Sequence, residues 1–258
     1  MGKTYDSIND SLAAWIRKQH LFFCATAPMS AEGTVNTSPK GYDSFRILNP
    51  NRVCYLDLTG SGNETLSHLQ ENGRITFLFM EFEKAPRILR LFGQGHFVRV
   101  DTPEFEELYR DRFEPKPDDD EGASGKDFGL DRASQIRGII VADIHKVATS
   151  CGWGIPYYEF KGERPTLKNF WGKRTREELG QFWRMANTES LDGLPGFRHE
   201  LMGPEFAPTE ETESKARRAK TKSGWLSSGP LQTMSLVLGS SALVAAGFSA
   251  GIAASVFL

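Results

Sequence analysis

A run of small and polar residues, Thr59-Gly60-Ser61-Gly62-Asn63-Glu64-Thr65, follows a β-rich stretch at residues 52–58. Glycines beside a helix start let a phosphate reach backbone N–H groups, and the helix end adds a positive field. Ser61 and Glu64 have the Ser-x-x-Glu spacing of a capping box, which makes Ser61 the expected N-cap. Leu66 and Leu69 supply an apolar side, and Gly73 stands where a left-handed end is expected. A capped strand-to-helix turn with no ligand satisfies the same pattern. Cations flank the turn in sequence: Lys40 and Arg46 before it, Arg90 after it. Arg90 alternates in phase with Ile88 and Phe92, so it shares a strand face with apolar residues. Such a cation wants an anion; the plainer account pairs it with Glu81, Glu83 or solvent.

A second segment, Ser150-Cys151-Gly152-Trp153-Gly154-Ile155-Pro156, sets two glycines around a tryptophan. This predicts a backbone bend that presents the indole, either over an open end of the fold or toward a bound molecule. The Asp118-Asp119-Asp120-Glu121 run reads as a solvated loop before it reads as a cation site. No Ser/His/Asp arrangement, paired acids or metal-ligand spacing competes with these features. Cys24, Cys54 and Cys151 are odd in number and lack metal spacing, which argues for a reducing compartment. The five histidines are scattered, and a net charge of −2 gives no support for a nucleic-acid surface.

The positioning elements are mostly β. Residues 21–27, 34–38, 45–48, 52–58, 75–82, 88–100 and 136–147 have β-branched and aromatic content, with turn residues such as Asn49-Pro50-Asn51 between them. Ile8, Leu12, Trp15 and Ile16 predict an opening helix, and Thr102-Pro103 predicts the start of another. Residues 114–127 read as a loop, and residues 167–187, rich in aromatics, as helix packed on the barrel or on a partner subunit. Many short strands with few long helices favour a barrel.

Three blocks in order, Thr37-Ser38-Pro39-Lys40-Gly41, then residues 57–65, then residues 87–95, resemble the pyridoxamine 5'-phosphate oxidase-like family of FMN-binding split β-barrels. The resemblance covers about residues 10–150 and is closest to that superfamily's broad branch. It implies a mainly β fold with flanking helices, a six-stranded antiparallel barrel, and a homodimer with FMN near the subunit interface. It also implies that Ser38, Lys40, Gly41, Thr59, Ser61, Asn63, Thr65, Arg90 and Trp153 are cofactor-binding residues. Lys40 would neutralise or hydrogen-bond the cofactor, Ser61, Asn63 and Thr65 would hold phosphate, and Arg90 would contact phosphate or flavin. The implied activity is FMN-dependent oxidation or reduction of a small molecule. The rival is a non-enzymatic flavin-binding or interaction module tethered to a membrane.

The last 28 residues, 231–258, carry no charged side chain, and a membrane span needs about 20 apolar residues. The expectation is a C-terminal transmembrane helix, with Lys215, Arg217, Arg218, Lys220 and Lys222 on the cytosolic side. The expected organisation is a barrel domain at 1–187, a polar linker at 188–230 and a tail anchor at 231–258. The protein would then sit in an intracellular membrane with its flavin domain facing the cytosol.

Overall fold

The structure, a computed structural model, describes residues 2–100, 102–114 and 135–198. Eight strands pair antiparallel in one sheet: β1 (Lys3–Tyr5), β2 (Phe22–Thr26), β3 (Asn36–Lys40), β4 (Phe45–Asn49), β5 (Arg52–Leu58), β6 (Arg74–Met80), β7 (Ile88–Arg99) and β8 (Ile136–Ser150). Their order is β3-β2-β6-β7-β8-β5-β4, with β1 added to β8. The sheet curls until its two ends face each other. Phe22 of β2 meets Phe45 of β4 edge-on at 5.0 Å, and the Lys40 ammonium of β3 lies 5.8 Å from the Tyr55 ring of β5. β3 and β4 remain unpaired edges, so the architecture fits a split barrel. A register shift at Phe92/Gly93 bends the long β7–β8 ladder, as an extra residue in one strand does.

Alternation decides which side chains enter the interior. On β2 and β6, Phe22, Cys24, Phe77 and Phe79 are buried, while Phe23, Leu78 and Met80 are half-buried on the other face. β5 is buried on both faces: Val53 and Tyr55 join the interior cluster, and Cys54 and Leu56 join an outer one under α3 (Pro103–Arg112). α1 (Asp10–Ile16) closes one end of the interior with Leu12, Ala13 and Ile16. α2 (Glu64–Asn72) ends at Gly73, whose φ of 71° is the left-handed conformation expected there. α4 (Thr166–Trp171) and α5 (Arg176–Ala186) pack Trp171, Leu179 and Trp183 against Leu66 of α2 and Phe197.

Several expectations need correction. The barrel is not six-stranded. The extra strand at the amino end, β1, is three residues whose partners, Val147 to Thr149, lie more than 140 positions away. Nothing in so short and polar a segment announces a strand. The helix expected at 167–187 comes as two pieces, because Gly172 ends α4 and Thr175 opens α5 with its own capping box. The N-cap of α2 is Asn63, not Ser61, and the Glu64 carboxylate turns back to accept from the Asn63 N–H at 3.1 Å. The transmembrane helix and the membrane localisation are withdrawn: among the described residues no helix is long and apolar enough to cross a membrane. The tail anchor at 231–258, most of the loop at 114–127 and most of the linker at 188–230 lie outside the described residues. The described part of that linker, residues 188–198, packs back on α2 and α5 through buried Phe197.

Candidate functional site

β3 carries Asn36, Ser38 and Lys40 on one face, in register with Thr26, Cys24 and Phe22. All three are half-buried on the barrel's inner side, where an edge strand meets the opening of the split. Their polar groups form a chain. The Ser38 hydroxyl donates to Asn36 Oδ1 at 3.1 Å, and Asn36 Nδ2 donates to Thr65 Oγ1 at 3.1 Å and Thr26 Oγ1 at 3.3 Å. Thr26 Oγ1 in turn lies 2.9 Å from His68 Nδ1. His68 is buried, and that burial lowers its pKa from about 6.5.

Lys40 differs from its neighbours. It sits over the Tyr55 ring and, among the described residues, makes no ion pair. Burial raises the pKa of the Cys24 thiol and pushes the Tyr55 hydroxyl well up, so both stay neutral beside it at neutral pH. The rim therefore holds one half-buried cation among neutral hydrogen-bonding groups. At the Asn36 end of the rim, where Thr65 meets it, the first turn of α2 has no side-chain cap, which leaves helix-end N–H groups for an acceptor. Ser38, Lys40 and Thr65 are thus brought together on one rim. Gly41 follows at its end, where a Cβ would stand 3.3 Å from the Glu163 carboxylate.

The glycine turn is arranged otherwise. Thr59 is fully buried, and its hydroxyl accepts from Trp183 Nε1 at 3.3 Å. Asn187 Nδ2 donates to the carbonyls of Gly60 and Ser61 at 3.0 and 3.3 Å. Asn63 is buried too; its Oδ1 accepts from the Phe197 N–H at 3.1 Å and its Nδ2 donates to Ser67 at 3.4 Å. Gly196 permits this docking, since a Cβ there would stand 1.6 Å from Asn63 Nδ2. Asp57 forms a buried bidentate ion pair with Arg137 just before the turn, at 3.0 and 3.1 Å. Only Ser61 leaves a side chain of the quoted turn residues exposed.

Two expected residues stand apart. Arg90 pairs in register with Leu78 and Ala148, and Leu78 pairs with Phe23, which puts Arg90 on the outer face of the sheet, away from Lys40. Its guanidinium donates to the Ser150 hydroxyl at 3.3 Å. Trp153 is 83% exposed beside the start of β7, where Gly152 with φ of 70° lies against the Arg87 backbone. Asn36, Thr26 and His68 were not singled out from the sequence. Asn36 was within reach of the period-two pattern that links it to Ser38 and Lys40; Thr26 and His68 were not, because neither reads as polar machinery in an apolar strand and a short helix.

A family model and a curated relative agree on a family. A family model described as pyridoxamine 5'-phosphate oxidase matches residues 8–148. A curated relative, the pyridoxamine 5'-phosphate oxidase family protein ustO of Aspergillus flavus, is 36% identical over 208 residues, covering 74% of this chain and 76% of its own length. Solved structures are more distant. HupZ of Group A Streptococcus aligns over 54% of this chain and 91% of its own at 18% identity and a TM-score of 0.37. An FMN-binding protein from Syntrophomonas wolfei aligns over 52% and 79%, at 14% identity and a TM-score of 0.34.

Proposed function

The chain belongs to the pyridoxamine 5'-phosphate oxidase family, and on that footing we propose that it binds FMN at the inner rim of β3 and uses it to oxidise or reduce a small molecule. The observation that carries the reading is Lys40, a half-buried cation without an ion-pair partner among the described residues, on the same strand face as Asn36, which meets Thr65 at the uncapped start of α2. Those features fit an anionic, hydrogen-bonding cofactor. Bound FMN would supply reversible two-electron chemistry, while the protein supplies binding, orientation and electrostatics.

In this reading Lys40 neutralises negative charge on the cofactor, and Ser38 and Thr65 hold it by hydroxyl contacts. The first-turn N–H groups of α2 and the exposed Ser61 hydroxyl face the phosphate. Thr59 and Asn63 act at one remove: their side chains fix the turn through Trp183 and Phe197. The neutral Cys24 and Tyr55 beneath the rim leave Lys40 as its charge.

A homodimer belongs to the same proposal. Phe23, Leu78, Met80, Ile88 and Phe92 form a half-exposed apolar face that joins none of the three core clusters, and Arg90 stands within it. A second copy on this face would cover it and bring Arg90 to the interface. Light scattering of the protein with FMN present should give twice the chain mass; a monomer mass at micromolar concentration contradicts the dimer.

The function is tested on purified full-length protein by its absorption spectrum, by the mass of any released cofactor, and by turnover. The expected result is a flavin spectrum, an FMN mass, and reduction and reoxidation of the bound flavin. A folded protein that neither carries FMN nor takes it up rules the proposal out. FMN held without turnover under any donor and acceptor favours the binding module instead.

A further inference from the structure

A cavity of about 250 Å³ lies past the end of the rim, meeting it at Gly41, between the end of α1, the starts of β2 and β4 and the last turn of α3. That is about eight times a water molecule's share of liquid volume, which leaves space for one small ring-bearing molecule. Ser38, Lys40 and Thr65 do not line it. Its floor is aromatic: Phe22, Phe45 and Phe79 pack together with centroids 5.0 to 5.7 Å apart. A planar apolar body suits such a floor, because ring pairs gain from edge-on and offset contacts.

The wall above the floor is ionic, and its pairing gives it a sign. Asp43 pairs with Arg46 at 3.4 Å, and Asp111 pairs with Arg110 at 3.6 Å. Among the described residues Arg17, Arg112 and Glu114 make no ion pair, so two cations face one anion around the mouth. Arg17 comes from the end of α1 and Arg112 from the last turn of α3, two elements far apart in the chain. The lip of the cavity is held in an unusual backbone. Tyr42 and Asp43 both have positive φ, 62° and 49°, and neither is glycine. The Tyr42 hydroxyl donates to the Arg164 carbonyl and fixes that turn. Consecutive left-handed non-glycine residues persist only where surrounding contacts hold them, and they gather at ligand clamps.

We propose that this cavity is a binding site for a small planar anion: one aromatic ring on the phenylalanine floor, with its charged group between Arg17 and Arg112. The site does not depend on flavin binding: it touches the rim at Gly41, while Ser38, Lys40 and Thr65, which the proposed function gives to FMN, lie outside its lining. Benzoate, phenyl phosphate and neutral benzamide, titrated into the full-length protein by calorimetry, test it. At least one of the two anions binds saturably, and the tighter one identifies carboxylate or phosphate as the head group. Benzamide binds at least about tenfold more weakly, as expected where a charged hydrogen bond is lost. The Arg17→Gln/Arg112→Gln double variant loses this preference while its FMN titration stays unchanged. Either single variant, which alters one exposed side chain, is read in the same way if the double variant does not fold. The proposal is overturned if neither anion binds at millimolar concentration, if benzamide binds as tightly, or if the arginine variants bind the anions as the parent protein does.

Discussion

Lys40 and Asn63 are both polar residues on the same small barrel, yet their surroundings give them opposite work. Asn63 is buried and its amide is committed to Phe197 and Ser67. Lys40 is half-buried, lies 5.8 Å from the Tyr55 ring and, among the described residues, makes no ion pair. The glycine turn has the composition of a phosphate cradle, but Trp183, Asn187 and Phe197 occupy its carbonyls and side chains. The β3 rim has a less suggestive sequence and the more available chemistry. A motif's residue types say what it is able to bind; its remaining hydrogen-bonding capacity says what it still can.

The largest test of this contrast is in the turn's foundation. Asp57→Ala leaves the Arg137 guanidinium buried without its carboxylate, and breaking such a pair typically costs about 3–5 kcal/mol. Urea unfolding should show a loss of that order. A loss below about 1 kcal/mol would mean that the turn does not lean on the pair.

Lys40→Ala should act on the ligand instead. A charged hydrogen bond to a bound anion is worth about 1.5–3 kcal/mol, a tenfold to hundredfold change in affinity at roughly 1.4 kcal/mol per decade. FMN titration should weaken by that factor while the melting temperature of the protein without FMN stays near the parent value. A variant that melts early yet binds FMN normally would assign Lys40 to the fold and reverse the contrast.

The smallest effect concerns the buried end of the rim's hydrogen-bond chain. Burial lowers the His68 pKa from about 6.5, so below that pH the unfolded chain takes up the proton first. Stability on this account is unaffected above about pH 7 and falls as pH drops through 6.5 toward the folded value. Urea midpoints at pH 7 and pH 5 should differ less in His68→Gln than in the parent. Equal acid sensitivity in the two proteins would remove His68 from the account.

Much of the fold was legible. The β-branched and aromatic content marked β2, β6 and β7 as strands, and the caps at Thr102 and Gly73 stand where local chemistry put them. β1 was not legible because its three residues become a strand only on meeting β8. The rim was half legible: Ser38 and Lys40 were singled out, and period two extends them to Asn36. The fate of the turn was hidden, since Trp183 reaches Thr59 across 124 positions and Phe197 reaches Asn63 across 134. The shared strand face of Arg90 with Ile88 and Phe92 was also correct, but sequence could not say that this face is the outer one.

The central claim is that FMN binds and that Lys40, rather than the Asn63 side chain, contacts it. The most direct measurement is FMN titration, followed by flavin fluorescence, of the parent protein, Lys40→Ala and Asn63→Ser, each checked for folding without ligand. The account predicts saturable binding by the parent, an affinity at least about tenfold weaker for Lys40→Ala, and a smaller change for Asn63→Ser that follows its loss of stability. No binding by a folded parent, or an unchanged affinity in Lys40→Ala, would contradict it.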